Sequence, residues 1–192
     1  FNGEIYNFRE IKAQLISLGY KFKTESDTEV VIKAFSKWKT DSFNKFVGMW
    51  SIAIWDDKLK KLYLSRDRFG EKPFYYIMKN DEFYFASELR TLKILYKKQL
   101  EFNKSKINNF IFNGYKSLYK DDETFIEDVK QVKPSECLVL FKGKLTSEKY
   151  WKVSYSPNYK ISYEDILNNV KYLVEKSVQR TLISDVPLSI ML

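Results

Sequence analysis

Apolar residues in the N-terminal part of the chain recur with a helical period. Ile11, Leu15 and Leu18 fall on one face of a first segment. Val30, Val31, Ala34, Phe35 and Trp38 fall on one face of a second. This i, i+3, i+4 spacing belongs to amphipathic helices packed on a core. Both segments carry a start signal: Asn7 with Glu10, and Ser26 with Glu29, match the capping box. In that motif the first side chain takes an orphan backbone N–H and the carboxylate reaches back. Tyr6 and Ile11 occupy the staple positions, and Gly19 supplies a left-handed stop. Between the helices, Tyr20 to Thr24 reads as a short strand.

From Gly48 the period becomes extended. Met49 to Trp55 is nearly all apolar, the pattern of a strand buried on both faces. Lys61 to Ser65 returns the chain. Phe74 to Met78 and Glu82 to Ala86 form a hairpin about Lys79-Asn80-Asp81. Short helices are expected near Glu88 to Tyr96 and Lys106 to Phe112, and a polar loop over Lys116 to Pro134. A second hairpin, Glu136 to Phe141 with Leu145 to Trp151, turns on Lys142-Gly143-Lys144. Ser162 then caps a long helix whose apolar stripe runs through Ile166, Leu167, Val170, Leu173, Val174, Val178 and Leu182. Asp185-Val186-Pro187 turns the chain into an apolar strand, Leu188 to Leu192. Helices followed by antiparallel strands predict an α+β fold. The final helix and strand read as the opening of a separate α/β unit, and both ends of the sequence look cut.

Composition narrows the chemistry. The 192 residues include no histidine, which removes Ser-His-Asp and Cys-His catalysis and His-ligated metal sites. The one cysteine, Cys137, lies in an apolar run and reads as a small core residue; a reducing cytoplasm is the expected compartment. No apolar run is long enough to span a membrane. The net charge of +8 raises a polyanion as a partner, but only five of the 33 basic residues are arginine and the lysines are scattered. That distribution predicts a solvated surface with weak, salt-labile attraction to nucleic acid rather than base readout.

Two short stretches carry candidate site residues. Asn2-Gly3-Glu4 offers an amide, an unhindered backbone N–H and a carboxylate. Asn and Gly N–H groups side by side are a workable pair of oxyanion donors, and the same residues also read as a strand end turning towards Asn7. Asp27 sits at a helix N-terminus, where the macrodipole alone accounts for a carboxylate. Arg66-Asp67-Arg68-Phe69-Gly70-Glu71-Lys72-Pro73 is a dense charged loop in which opposite charges are expected to pair with each other.

Taken together, NGEIYN, SDTEVV, GMWSIAIWD, YLSRDRFGEKPFYY and FASEL, in this order, resemble the glutamine-hydrolysing asparagine synthetases. The likeness is dense from Phe1 to about Leu95. It continues more loosely through Val132-Lys133-Pro134 and Tyr150-Trp151 and resumes at Ser184-Asp185-Val186-Pro187. The resemblance implies an α+β N-terminal-nucleophile hydrolase αββα sandwich, incomplete here. Its amidotransferase domain would cover residues 1–130, with a hairpin and linker over 131–160. The first helix and strand of an α/β ATP-pyrophosphatase domain would follow over 161–192.

It further implies that Asn2 and Gly3 form an oxyanion hole and that Asn2, Gly3, Glu4 and Asp27 bind glutamine, Asp27 holding the α-ammonium. Leu192 would lie against ATP. The parent enzyme would use ATP and Mg²⁺ to adenylate aspartate, ammonia arriving from glutamine through an internal tunnel. Its partners would be small molecules (glutamine, aspartate, ATP), with no nucleic acid and no membrane, and with a homodimer as the expected assembly. An enzyme of the same build acting on another carboxylate, such as a sugar acid, and a non-catalytic basic binding module are the competing readings.

The family's nucleophile is an N-terminal cysteine whose own amine serves as base, so no histidine is needed. That cysteine and the pyrophosphate loop are absent from these residues. The sequence therefore reads as an internal fragment, expected on its own to release no ammonia from glutamine above a buffer blank.

Overall fold

A computed structural model describes residues 1–119, 121–183, 187 and 189. Strand β1 (Asn2–Ile5) leads into helix α1 (Phe8–Ser17), followed by α2 (Asp27–Trp38) and the short α3 (Asp41–Lys45). Strands β2 (Gly48–Asp56), β3 (Lys61–Arg66), β4 (Tyr75–Lys79) and β5 (Glu82–Ala86) come next, then helices α4 (Leu89–Tyr96) and α5 (Lys104–Asn113). A 3-10 turn, Gly114–Tyr119, precedes β6 (Val129–Gln131), β7 (Glu136–Phe141) and β8 (Lys144–Lys149). Helix α6 (Tyr163–Thr181) comes last.

Two antiparallel sheets result, one ordered β1-β2-β3-β7-β8 and a smaller one ordered β5-β4-β6. The period-2 alternation of side chains explains how they stack. Trp50, Ile52 and Ile54 of β2, Tyr63 of β3 and Cys137 of β7 join the core beneath α1 and α2, where Ile11, Leu15, Val30, Val31, Ala34 and Phe35 are buried. The neighbouring residues Leu64 and Leu138 point the other way, into a second core with Phe74, Tyr76 and Val132. A third core, with Ile77, Leu92 and Tyr96, seals the small sheet against α4. The layers therefore run helix, sheet, sheet, helix. A central strand such as β2 needs apolar residues on both faces, which is why its sequence reads as a nearly unbroken run.

Several local expectations are revised. Asn7 does not cap α1: its amide donates to the Lys45 carbonyl (2.9 Å) and accepts from Val47 N–H (2.8 Å), tying the helix start to the far end of α3. Ser26 does cap α2 through Thr28 N–H (3.2 Å), but Glu29 does not reach back. Its carboxylate takes the N–H groups of Lys23 and Thr24 instead. Those two N–H groups are thereby spent, and Tyr20 to Thr24 forms no strand. Lys33 and Thr24 hold the Glu29 carboxyl down at about 2.

Leu18, expected in the core, is half exposed, and so is Trp55 at the end of β2. The polar stretch Lys116 to Pro134 contains β6, three residues ordered by pairing with β4. Residues 136–149, expected as hairpin and linker, pair through β7 with β3, making the hairpin an integral edge of the larger sheet. Both hairpins turn as predicted on left-handed residues, Asn80 and Asp81 in one and Lys142 and Gly143 in the other. Helix α6 begins at Ser162, whose hydroxyl accepts from Asp165 N–H, and buries none of its apolar stripe. Of the expected Asp185-Val186-Pro187 turn and the strand Leu188 to Leu192, only Pro187 and Ser189 are among the described residues, and the rest lies outside them.

Candidate functional site

β1 is an edge strand, and its ladder decides which way its backbone faces. Tyr6 N–H bonds Val47 O (2.8 Å) on the β2 side. Ile5 N–H points the opposite way, donating to Asp27 Oδ2 at 3.1 Å. In an antiparallel pair successive N–H groups alternate sides. Gly3, two residues before Ile5, therefore directs its N–H to the same open edge. The side chains of Asn2 and Glu4 share one face of the strand, opposite the buried Ile5.

Gly3 is required where it stands. Its φ is +146°, and a Cβ there would lie 2.1 Å from Met49 O and 2.7 Å from Trp50 Cα. Only a residue without a side chain lets β1 lie this close to β2.

Beside this edge is an open cleft of about 610 Å³, lined by Glu4, Ile5, Tyr6, Arg9, Glu25, Ser26 and Asp27 among others. The volume suits a small metabolite. Glu25 is paired with Lys12 (2.7 Å), which leaves Glu4 and Asp27 against the Arg9 guanidinium, a negative balance that favours an ammonium group. Asp27 is held on both sides: Oδ2 by Ile5 N–H and Oδ1 by the Thr28 hydroxyl at 3.4 Å. Burial, with Glu4, Glu71 and Asp67 nearby, raises the Tyr6 phenol, which stays protonated and able to donate.

Asn2, by contrast, opens onto a second hollow of about 380 Å³ between the sheets, with Ser51, Phe74, Ala86 and Thr91. Of the residues singled out from sequence, the structure thus brings Gly3, Glu4 and Asp27 to one edge and places Asn2 at its end. Leu192 lies outside the described residues. Tyr6, Arg9 and Glu25 were not singled out as site residues from the sequence; Tyr6 and Arg9 lie two and five positions after Glu4, and Glu25 two before Asp27.

The charged loop behind the cleft is not a set of ion pairs, as its alternating charges had predicted. Arg66, 8% exposed, spends its guanidinium on carbonyls: Lys72 O (2.7 Å), Gly70 O (2.8 Å) and Val132 O (2.9 Å). Desolvation lowers its pKa from the ordinary arginine value. Asp67, fully buried, does the converse and accepts from the N–H groups of Trp50, Phe69, Glu71 and Lys72. Adjacent opposite charges here satisfy backbone groups that a tight loop leaves without partners.

Cys137 is fully buried in β7, and desolvation pushes its thiol up to about 12, which leaves no thiolate for nucleophilic attack. Among the described residues no three His, Cys, Asp or Glu side chains converge as metal ligands. Nor is any described helix long and apolar enough to cross a membrane.

Residues 1–151 match the family model of the glutamine amidotransferase domain. The chain belongs to that family. It is similar along 97% of its length to asparagine synthetase (glutamine-hydrolysing) 1 of Bacillus subtilis, at 33% identity. The same coverage holds for a putative asparagine synthetase of Methanocaldococcus jannaschii, at 34% identity. The chain spans 29% and 36% of those two relatives, about a third of their length. Among solved structures, the glutamine phosphoribosylpyrophosphate amidotransferase of B. subtilis covers 78% of the chain with a TM-score of 0.53 at 21% identity. That likeness is one of fold, and it agrees with the helix–sheet–sheet–helix layering of an N-terminal-nucleophile hydrolase.

Proposed function

We propose that this amidotransferase domain hydrolyses glutamine within a longer enzyme that makes asparagine from aspartate with ATP. The observation that carries the glutaminase reading is the shared edge of β1, where Asp27 is fixed by Ile5 N–H and Gly3 N–H faces the same side. Glutamine would bind with its α-ammonium on Asp27 and Glu4 and its side-chain amide towards Asn2 and Gly3. When a thiolate attacks that amide carbon, negative charge builds on the carbonyl oxygen. The Asn2 side-chain N–H and the Gly3 backbone N–H would receive it. The nucleophile in this reading is the family's N-terminal cysteine, which these residues do not include; buried Cys137 is no substitute.

The chain's similarity to glutamine-hydrolysing asparagine synthetases supports aspartate as the acceptor. ATP and Mg²⁺ would supply the adenylating chemistry of the parent enzyme.

In the intact enzyme, Asp27→Asn should raise the KM for glutamine about a hundredfold, the 2–3 kcal/mol of a lost charge-assisted contact, with little change in kcat. The asparagine amide keeps an oxygen for Ile5 N–H, so the strand stays in place. Initial rates of ammonia release over a glutamine series test this, and an unchanged KM would remove Asp27 from the substrate site. Rescue of an asparagine auxotroph by the intact gene tests the acceptor. Glutaminase activity without rescue would assign the ammonia to another carboxylate.

A further inference from the structure

On the far side of the charged loop is a pocket of about 430 Å³ that the glutaminase reading does not use. Its walls are Arg68 and Phe69, the turn Lys133 to Ser135, and the chain leaving β8 with Lys149, Trp151 and Lys152. Four cations thus converge on it. The one carboxylate in its lining, Asp121, is already neutralised by Lys106, whose side chain is 3% exposed. Lys133 has only a distant partner, Asp122 at 3.9 Å. Among the described residues neither Lys149 nor Lys152 is ion-paired.

The pocket differs from the lysine-studded surface in having a fixed, partly desolvated floor. Arg68 donates Nη2 to Asn44 O (2.8 Å), while its Nε is buried and, among the described residues, without a hydrogen-bond partner. The guanidinium carbon stands 5.4 Å over the Trp151 ring, and Phe69 meets that ring edge-on at 5.5 Å. Ser135, 2% exposed, is held at φ +59° by Asp67 O on one side and Tyr150 N–H on the other, a left-handed position that favours glycine. These two contacts fix the half-buried Trp151 indole in the pocket wall, where it is an aromatic surface for the ligand.

We propose that this pocket binds a phosphate-bearing small molecule of about nucleotide size. Lys133, Lys149 and Lys152 take the phosphoryl oxygens, and the organic part lies on Trp151. Ammonium groups suit phosphate as compact point charges, and the volume exceeds what a bare ion needs. The site is separate from the glutamine cleft, and the inference does not depend on the glutaminase reading.

The test is titration of the intact enzyme with inorganic pyrophosphate and with ADP, read by calorimetry, for wild type, Lys149→Gln/Lys152→Gln and Lys149→Arg/Lys152→Arg. A binding event weakened at least tenfold in the Gln pair and kept in the Arg pair, with glutamine hydrolysis unchanged in both, is the expected result. Tighter binding of ADP than of pyrophosphate, with the difference lost in Trp151→Leu, supports an organic phosphate lying on the indole; equal binding of the two would overturn that assignment. Isotherms that coincide for wild type and the Gln pair would overturn the proposal. So would an absence of binding to both probes, or wild-type binding abolished by about 200 mM KCl as mere surface attraction is.

Discussion

Gly3→Ala in the intact enzyme should abolish measurable glutamine hydrolysis and destabilise the domain by about 3 kcal/mol. The methyl group would begin 2.1 Å from Met49 O, which is backbone and cannot swing away. β1 must therefore lift from β2. With it go the Tyr6–Val47 bond and the Ile5–Asp27 bond, so the oxyanion donor and the ammonium acceptor are lost together. Asn2→Ala separates chemistry from folding. Asn2 is exposed and, among the described residues, its side chain makes no hydrogen bond to another element, so the urea midpoint should stay at the wild-type value. Its kcat should nonetheless fall on the order of 10²-fold, as when one oxyanion donor is removed. An Asn2→Ala enzyme with wild-type kcat would show that the amide takes no part in stabilising the oxyanion.

Much of the fold was legible because local and tertiary requirements coincide in it. The stripes of α1 and α2 are the faces that meet the first core, and β2 is nearly all apolar because cores lie on both sides of it. The turn residues Asn80-Asp81 and Lys142-Gly143 announce their hairpins for the same reason. What escaped the sequence was decided by partners far away in it. Asn7 has every property of a cap, yet its amide is claimed by residues 38 and 40 positions away. Tyr20 to Thr24 has strand character, but the Glu29 carboxylate takes the N–H groups a neighbouring strand would need. β6 is three residues long, too short to show a period, and exists because β4 offers it a ladder.

The candidate site divides in the same way. Asn2, Gly3, Glu4 and Asp27 stood out as types suited to amide hydrolysis. The Ile5–Asp27 bond that brings the two segments onto one edge spans 22 residues and leaves no mark in either. Arg66 and Asp67 misled for a related reason: adjacent opposite charges suggest each other as partners, whereas burial directs each to the backbone. A charge in the interior needs several hydrogen bonds, and a loop folded on itself has N–H and C=O groups in surplus.

Asp67→Asn should accordingly cost on the order of 3 kcal/mol despite its near-identical shape. Oδ1 accepts from Phe69 and Glu71, and Oδ2 from Trp50 and Lys72. Whichever way the amide is turned, its NH2 faces two backbone N–H groups that have lost their acceptor. Each buried donor so stranded carries a penalty of about 1–3 kcal/mol, partly relieved where water can enter the loop. The damage should spread beyond the loop. Asp67 O also holds Ser135 N–H, Arg66 O holds the Tyr150 hydroxyl, and Trp50 N–H lies in the strand against which Gly3 packs. Urea unfolding followed by tryptophan fluorescence reads this directly, since Trp50 is one of the residues that loses its partner. A variant unfolding at the wild-type midpoint would mean that Arg66 alone shapes the loop through its three carbonyl bonds. Asp67 would then be a passenger rather than the residue that joins the loop to the glutamine cleft.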